Sequence, residues 1–172
     1  MKNVLLLILV SGMVIACGTQ EKASISEAKK DANQNGYTVA KSSNIDLVKK
    51  FNELAIQYDT AAISAMYSSR QDTIHDNLTN MTVSENLQSI SKLKAANIKI
   101  SIKNYGALWE TINDEASPKG VKNYVIAYIL MNLNNGKQNR DIIMNQVCAI
   151  KDGKIVEEWD IYDTKAIEEF LK

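Results

Sequence analysis

The chain contains few of the residues from which metal sites and disulfide frameworks are built. Its 172 residues include one histidine, two cysteines and one proline, and no histidine or cysteine spacing is typical of a metal site. The sequence has no phosphate-binding glycine loop and no nucleophile elbow, so we expect neither a metal nor a cofactor. Lysine plus arginine equal aspartate plus glutamate, at twenty each, without a basic stripe. Nucleic acid is therefore not an expected partner.

The N-terminus carries an apolar segment that is typical of a secretory signal. Lys2 provides a short positive start, an apolar run extends over residues 4–10, and the segment ends in VIAC, with Cys17 last. It is too short to span a membrane. The VIAC ending resembles the lipobox of bacterial lipoproteins, which implies cleavage before Cys17, a diacylglycerol on its thiol and an acylated amine. The alternative is an ordinary signal peptide with a cysteine there by chance.

The lipobox resemblance implies a lipid-anchored protein of the bacterial cell envelope that faces the periplasm or the cell surface. Several acyl chains on one cysteine give stable anchoring to a membrane. We divide the chain into a signal peptide over 1–16, lipidated Cys17 with a polar tether over 17–40, and one domain over 41–172. Cys148 then has no disulfide partner, and its apolar neighbours predict that it is buried.

The spacing of apolar residues predicts helices first and strands afterwards. One amphipathic stripe predicts a first helix, and a second short helix follows with Asp59 or Thr60 as its cap. A third helix is predicted to begin at Thr82, because Thr82 and Glu85 have the spacing of a capping box. The stripe of the first helix consists of Leu47, Val48, Phe51, Leu54, Ala55 and Tyr58.

Beyond residue 97 the apolar residues alternate as in strands. The alternation shifts between Asn104 and Gly106, which predicts a β-bulge and a bend in the sheet. A strand over 121–133 is apolar on both faces and is expected to be central, and NNGK and KDGK predict hairpin turns. Helices followed by long antiparallel strands predict an α+β fold, in which a curved antiparallel sheet wraps around the N-terminal helices as a cone.

Two segments resemble the nuclear transport factor 2-like superfamily, in its SnoaL-like and ketosteroid-isomerase-like branches. They are YDTAAISAMYSSRQDTIHDNL and VCAIKDGKIVEEWDIYD, and the resemblance covers about residues 43 to 171. It implies the cone fold, which hosts enzymes and binding modules alike. Matching the isomerase branch puts its general-base aspartate at Asp76, its oxyanion tyrosine at Phe51 and its protonated aspartate near Gln146. Phe51 has no donor, so steroid isomerisation by that mechanism is not expected.

Alternation separates the two candidate residues of the short strand over 72–78. Asp76 shares a face with apolar Ile74 and Leu78, whereas His75 points to the opposite face, so Asp76 and His75 are not a facing dyad. An apolar surrounding suits Asp76 to general-base chemistry. The alternative is a carboxylate at the mouth of a cavity, bonded to nearby backbone.

The last strand offers a second polar set. Glu158, Asp160 and Tyr162 share one face, which the resemblance turns inward toward Gln146, so that a polar pocket with aromatic walls is predicted. In the alternative, the two carboxylates are solvated and the other aromatic residues belong to the core. The predicted ligand-binding residues are Glu158, Tyr162, Gln146, Tyr128 and Trp109, and the candidate catalytic carboxylates are Asp76 and Asp160.

Two functions follow from these observations. The favoured one is a lipoprotein without catalytic activity, whose cone binds a small apolar or amphipathic ligand or whose open sheet face binds a protein partner. The other is an acid–base enzyme, such as an isomerase or a hydrolase, that uses Asp76 or Asp160. The enzyme requires a second group that donates or accepts a proton and faces Asp76, whereas the binding protein does not. The strand that is apolar on both faces also permits a homodimer through the sheet.

Overall fold

In the computed structural model, residues 35–170 are described, and they form one seven-stranded sheet with four helices. The predicted signal peptide, Cys17 and the tether as far as residue 34 lie outside the described residues. Within 35–170, no helix is long and apolar enough to cross a membrane.

The helices begin where the sequence provides capping side chains. The Ser42 hydroxyl accepts a hydrogen bond from the Ile45 amide at 3.1 Å, and Asp59 caps the second helix in the same way at 3.0 Å. Thr82 and Glu85 form the predicted capping box. Each cap satisfies amide donors that a helix leaves unpaired at its start. The helices are α1 (Ser43–Ile56), α2 (Thr60–Met66), α3 (Val83–Ala95) and α4 (Thr164–Phe170).

The strands form an open sheet. They are β1 (Gly36–Val39), β2 (Thr73–Asp76), β3 (Thr79–Thr82), β4 (Lys99–Asn113), β5 (Asn123–Asn134), β6 (Asn139–Lys151) and β7 (Lys154–Tyr162). Their order across the sheet is β1-β4-β5-β6-β7-β2-β3, so β1 and β3 are the edges. The long strand that is apolar on both faces is β5, and it is central as predicted.

The sheet differs from the prediction in two respects. β1 pairs with the end of β4, so residues 36–39, which the sequence analysis places in the tether, belong to the sheet. β2 pairs with β7 in parallel, whereas the other five pairings are antiparallel. Because β2 and β7 are separated in the chain by α3 and a long meander, no hairpin forces them to run in opposite directions.

The sheet bends where the alternation of the sequence shifts. The pairing of β4 with β5 changes register twice within residues 102–107, which confirms the predicted bulge. A further irregularity lies between Ala149 and Ile150, where β6 pairs with β7. The turn that joins these two strands has positive φ at Asp152 (52°) and Gly153 (71°), as a tight two-residue hairpin requires.

Apolar residues of the helices and of one sheet face, here called the inner face, form two hydrophobic clusters. The first joins α1, α2 and α3 to the sheet and includes buried Cys148. The second lies at the other end, where Phe170 of α4 is fully buried. The predicted α+β class, with a bent sheet packed on N-terminal helices, is confirmed. The members of the second cluster are Ile98, Leu133, Ile142 and Phe170.

Candidate functional site

The parallel pairing of β2 with β7 decides where Asp76 lies. Asp76 is paired with Asp160, and Ile74 is paired with Glu158. Paired residues project from the same face of a sheet. Ile74 is 1% exposed and belongs to the first hydrophobic cluster, so this is the inner face. Asp76 therefore points inward together with Ile74, as its position in the strand predicts. The prediction that Leu78 shares this face is wrong, because β2 ends at Asp76 and Leu78 lies fully exposed in the turn to β3.

The neighbouring strand adds an amide to these carboxyl groups. Gln146 of β6 is paired with Asp160 of β7, and Met144 of β6 is paired with Tyr162. The structure thus brings most of the predicted pocket residues to one place on the inner face. We call them the interior cluster, which consists of Asp76, Gln146, Glu158, Asp160 and Tyr162.

Glu158 is held by a chain of hydrogen bonds that joins two helices to the sheet. Asn52 Nδ2 of α1 donates to Gln146 Oε1 at 3.0 Å, and Gln146 Nε2 donates to Glu158 Oε1 at 2.7 Å. The Tyr67 hydroxyl, at the end of α2, donates to Glu158 Oε2. Glu158 is 1% exposed, and each of its oxygens has a donor. Such a satisfied network fixes the geometry of a buried carboxylate.

Two of these donors come from Asn52 and Tyr67, which are not among the site residues predicted from the sequence. Asn52 follows Phe51 and stands four residues after Val48, so it is a polar residue on the apolar stripe of α1. That position is a signal that could have found it. Tyr67 has no comparable signal, because it ends a short helix and only the packing of α2 turns its hydroxyl toward β7.

Asp160 is the carboxyl group of this cluster whose pKa is raised most strongly. Burial raises its pKa well above the ordinary range, and the negative charge of Glu158 and a side-chain hydrogen bond between the two groups raise it further. Burial also raises the pKa of Glu158, but the donors Tyr67 and Gln146 oppose that rise. Of the two carboxyl groups, Glu158 is therefore the better stabilised as an anion, and the pKa of Asp160 is raised further.

Asp160 also offers an unoccupied acceptor. Its Oδ1 atom is buried and has no hydrogen-bond partner among residues 35–170, although the carboxyl group as a whole interacts with the side chains of Glu158 and Gln146. A buried polar atom without a donor is unfavourable and is uncommon in folded proteins. The same sheet face thus presents, at one point, a carboxyl group with a raised pKa and a buried oxygen without a donor.

Tyr162 is the proton-bearing group that faces Asp76. Burial raises the pKa of its hydroxyl, and a hydrogen bond with Asp76 and the charge of Asp76 raise it further. Asn77 holds the two strands together at this point: its amide donates to the Asp160 carbonyl at 2.8 Å, and its Oδ1 accepts from the Tyr162 amide at 3.2 Å. Asn77 has φ of 52°, a conformation that asparagine tolerates better than most residues.

Phe51 lies at the position that the isomerase resemblance assigns to an oxyanion tyrosine. It is buried and contacts Tyr67 edge to face, with ring centroids 5.6 Å apart. The ring of Phe51 offers no hydrogen-bond donor. The hydroxyl in this neighbourhood belongs instead to Tyr67, and it is engaged by Glu158.

Two of the predicted pocket residues, Trp109 and Tyr128, lie elsewhere. Ala127 of β5 is paired with Gln146, so its neighbour Tyr128 projects from the opposite, outer face. Trp109 is paired with Ile126, which projects from the outer face as well, and its ring stacks on Tyr128 at 6.0 Å. The prediction that these two rings line the pocket is wrong. The two register shifts in β4 turn Trp109 outward, and the alternation of side chains along β5 turns Tyr128 outward.

His75 lies on the outer face, as its position in the strand predicts. It is paired with Trp159, and the two rings stack at 5.0 Å. Its Nε2 lies 2.8 Å from Glu157 Oε1 and its Nδ1 lies 2.7 Å from Asn80 Oδ1. His75 therefore belongs to an outer-face network that is separated from Asp76 by the sheet.

Comparisons with known proteins show the fold. No protein-family model matches the chain, and no curated protein matches it in sequence. The LEH-like epoxide hydrolase from M. tuberculosis is 12% identical, with a TM-score of 0.55, over 74% of this chain and 87% of that chain. A protein assigned as a SnoaL-like polyketide cyclase from Shewanella denitrificans OS-217 is also 12% identical, with a TM-score of 0.56, over 75% and 96%. The chain therefore has the fold of SnoaL-like proteins, as the resemblance implies.

Proposed function

We propose that this chain is a lipid-anchored protein of the bacterial cell envelope, whose interior cluster binds a small amphipathic molecule. The observation that carries this proposal is the unpartnered, buried Oδ1 of Asp160. Hydrogen-bond donation from a ligand would satisfy this atom, and binding sites commonly combine an apolar wall with a few convergent polar groups. The interior cluster has that composition.

The surroundings of the interior cluster suggest the chemistry of the ligand. Apolar residues of the first hydrophobic cluster lie on one side of it, and Tyr162 contacts the second on the other side. The cluster contains three carboxyl groups and an amide, but no lysine or arginine. A ligand with an apolar body and a hydroxyl or ammonium group would complement both features, whereas an anion would be repelled.

Thermal-shift measurements on the full chain with 1-decanol and decylamine test this proposal. We expect stabilisation of the parent chain that is lost in Asp160→Leu, which removes the acceptor. Decanoate has the same apolar body with an anionic head and is the matched control ligand. Equal stabilisation of the parent and the Asp160→Leu variant, or preferential stabilisation by decanoate, would contradict an interior site of this chemistry.

A second candidate function is acid–base catalysis in the same place. The specific observation is that Asp76 has a partner: the Tyr162 hydroxyl faces it, and Asp160, whose pKa is raised by burial, occupies the paired position on β7. In this arrangement Asp76 would remove a proton while Asp160 donates one, which is the division of roles that acid–base catalysis needs. The fold is shared with an epoxide hydrolase, but fold alone does not assign a reaction.

Catalysis is tested by incubating the full chain with a panel of epoxides and enolisable ketones. Turnover that disappears in Asp76→Asn and in Asp160→Asn would establish the enzyme. His75→Gln is a control, because His75 lies on the outer face and its loss should leave such turnover unchanged. Binding without turnover across the panel favours the noncatalytic function.

The lipid anchor is proposed from the lipobox resemblance of the VIAC ending. Lipidation at Cys17 would retain the protein at a membrane that faces the periplasm or the cell surface. Mass spectrometry of the mature N-terminus is the test: we expect an acylated Cys17, and Cys17→Ser should yield an unmodified form. An unmodified N-terminus elsewhere in the mature protein would contradict the proposal.

The outer face is proposed as the surface for a protein partner, with a homodimer through the sheet as the expected case. Ile143 is 67% exposed and Ile161 is 60% exposed, and Tyr128 lies beside them on this face. Asn145, in the same cross-strand row, has a buried Oδ1 with no partner among the described residues. Adjacent exposed apolar side chains are typical of interaction surfaces.

A further inference from the structure

Side chains on the outer face of β4, β5, β6 and β7 stand in rows across the strands, because paired residues project from the same side of a sheet. What we call the middle row consists of Ala107, Tyr128, Asn145 and Ile161. The tryptophan row, on one side of it, consists of Trp109, Ile126, Val147 and Trp159. The row on its other side contains Asn104, Leu130 and Ile143. The centre of the outer face is therefore largely apolar and has the Asn145 amide in its middle row.

Polar side chains close this surface at both ends. Beyond the tryptophan row lies Glu157, which forms an ion pair with Lys119 at 2.9 Å. At the other end lies Asp141, which forms an ion pair with Lys103 at 2.7 Å. An apolar centre within a polar rim is the usual anatomy of a protein interface. Four strands and five rows cover roughly 650 Å², which is close to the roughly 800 Å² that each partner contributes to a stable complex.

A groove of about 440 Å³ lies on this surface where β4 bulges. Gly106 leaves it open, since an added Cβ there would meet only the Tyr128 carbonyl, at 3.8 Å. The most exposed apolar side chains of the same face, Ile143 and Ile161, stand on β6 and β7. The surface thus has a depression over β4 and β5 and projecting side chains over β6 and β7.

This surface complements a second copy of itself about one particular two-fold axis. The axis runs parallel to the strands between β5 and β6, so that β4 faces β7 of the second copy and β5 faces β6. Rotation about it keeps each row opposite the same row, and Ile161 of the second copy then lies over Ala107, beside the groove. Apolar residues meet apolar residues in the rows on either side: Trp109 with Trp159, Ile126 with Val147, and Leu130 with Ile143.

The same axis gives Asn145 a partner. Asn145 Oδ1 is buried and has no hydrogen-bond partner among residues 35–170. Tyr128, which is 42% exposed, lies opposite Asn145 of the second copy. A phenolic hydroxyl donates and accepts, and rotation of an amide exchanges its oxygen and nitrogen, so either end of the Asn145 side chain suits it. Pairing across the interface would remove the unfavourable free energy of an unpaired buried oxygen.

A two-fold axis that runs across the strands, along the middle row, fits less well. It places Trp109 against Asn104 of the second copy and Ala149 against Asp141. In both contacts an apolar side chain covers a polar group without offering it a hydrogen bond, which is unfavourable. The axis parallel to the strands instead places Asp141 against Asn132, whose amide can donate to it.

We propose that two copies of this chain associate about the axis parallel to the strands, with Ile161 of each copy seated beside Gly106 of the other and Tyr128 paired with Asn145. The inference rests on the homodimer proposed above and adds its geometry. Packed sheets lie about 10 Å apart, and neighbouring strands are about 4.8 Å apart. Two copies of the same residue on β4, or on β7, are then about 17 Å apart, whereas Ala107 and Ile161 of different copies are adjacent.

Cross-linking tests this geometry separately from dimerisation. Ala107→Cys and Ile161→Cys are each made in the full chain with Cys17→Ser, in which the remaining Cys148 is buried. The two chains are mixed, allowed to exchange and treated with ethane-1,2-diyl bismethanethiosulfonate. We expect covalent dimers in the mixture but not in either chain alone. Ile161→Cys mixed with Leu78→Cys is the control and should give none, because Leu78 lies in the turn between β2 and β3.

The dissociation constant of the dimer, measured by analytical ultracentrifugation, gives a second test without cysteines. Tyr128→Phe should weaken the dimer about threefold to tenfold, as expected for one lost hydrogen bond, and should have no further effect in an Asn145→Ala background. Tyr124→Phe is the matched control, because its hydroxyl faces Ala149 of the second copy.

The outcomes separate the geometry from the homodimer. A parent chain that is monomeric would overturn both. A dimer in which Ile161→Cys cross-links to itself, or in which Tyr128→Phe and Tyr124→Phe weaken association equally, would leave the homodimer standing and overturn the geometry.

Discussion

Asp76 and Asp160 occupy paired positions on two parallel strands, so that both carboxyl groups project from the inner face of the sheet. They stand 84 residues apart in the chain. Their environments differ: the Tyr162 hydroxyl faces Asp76, whereas Asp160 is buried beside Glu158. The proposed acid–base function rests on this difference, because it assigns the two carboxyl groups different roles.

Asp160→Asn is expected to stabilise the fold at neutral pH. A carboxyl whose folded pKa is raised keeps its proton in the folded state while the unfolded chain releases it, so stability falls as the pH rises above the ordinary pKa of aspartate. A tenfold difference in proton affinity between the folded and unfolded states corresponds to about 1.4 kcal/mol. Urea unfolding at pH 4 and pH 8 should show a gain for Asp160→Asn that is larger at pH 8.

Asp141→Asn is the control for this experiment. Asp141 is exposed, and hydrogen bonds from Lys103 and Asn132 lower its pKa. Asp141→Asn is therefore expected to lower the stability of the fold, and to do so more at pH 8 than at pH 4. If Asp160→Asn destabilises the protein at pH 8 as much as at pH 4, Asp160 is not the protonated member of the interior cluster.

Tyr67→Phe is expected to destabilise the fold, because Glu158 Oε2 loses its donor while remaining buried. A buried acceptor left without a partner costs about 1–3 kcal/mol, and more when it is charged. Tyr124→Phe removes a hydroxyl from a half-buried ring on β5 and is the matched control. Chemical denaturation at pH 7 distinguishes the two variants, and similar midpoints would show that the hydrogen bond to Glu158 contributes little.

Glu110 is expected to make the fold sensitive to acid. Burial acts to raise its pKa, but hydrogen bonds from Ser42, Asn44 and Asn123 outweigh burial and lower it. A lowered folded pKa gives stability that is present above the ordinary pKa of glutamate and is lost as the pH falls through the folded value. Glu110→Gln should therefore flatten the loss of stability between pH 5 and pH 3, as followed by thermal unfolding. A curve that stays parallel to that of the parent chain would contradict this assignment.

The outer face gives a prediction about association. Ile143→Glu and Ile161→Glu each place a charge on the exposed apolar surface and are expected to shift a dimer to monomer. Leu78→Glu is the control, because Leu78 is fully exposed but lies in the turn between β2 and β3. Light scattering coupled to size-exclusion chromatography measures the masses. A parent chain that is monomeric at high concentration would exclude a homodimer through this surface.

The sequence by itself determined the order of the helices and long strands, because apolar spacing is a local property of the chain. The capping box at Thr82 and Glu85 and the bulge within 102–107 were readable for the same reason. The inward position of Asp76 also followed from local alternation with Ile74. β1 and β3 have four residues each, none of them fully buried, so no apolar alternation marks them in the sequence.

The tertiary structure decided which faces and which distant residues meet. Alternation along a strand shows which residues share a face, but not which face the helices cover. The outward direction of Trp109 and Tyr128 therefore followed only from the register of β4, β5 and β6. The contact of Tyr67 with Glu158 joins residues 91 positions apart and depends on how α2 packs on β7. Burial then raised the pKa of Asp160, because the pKa of a carboxyl group is set by the groups and the solvent around it and not by its place in the chain.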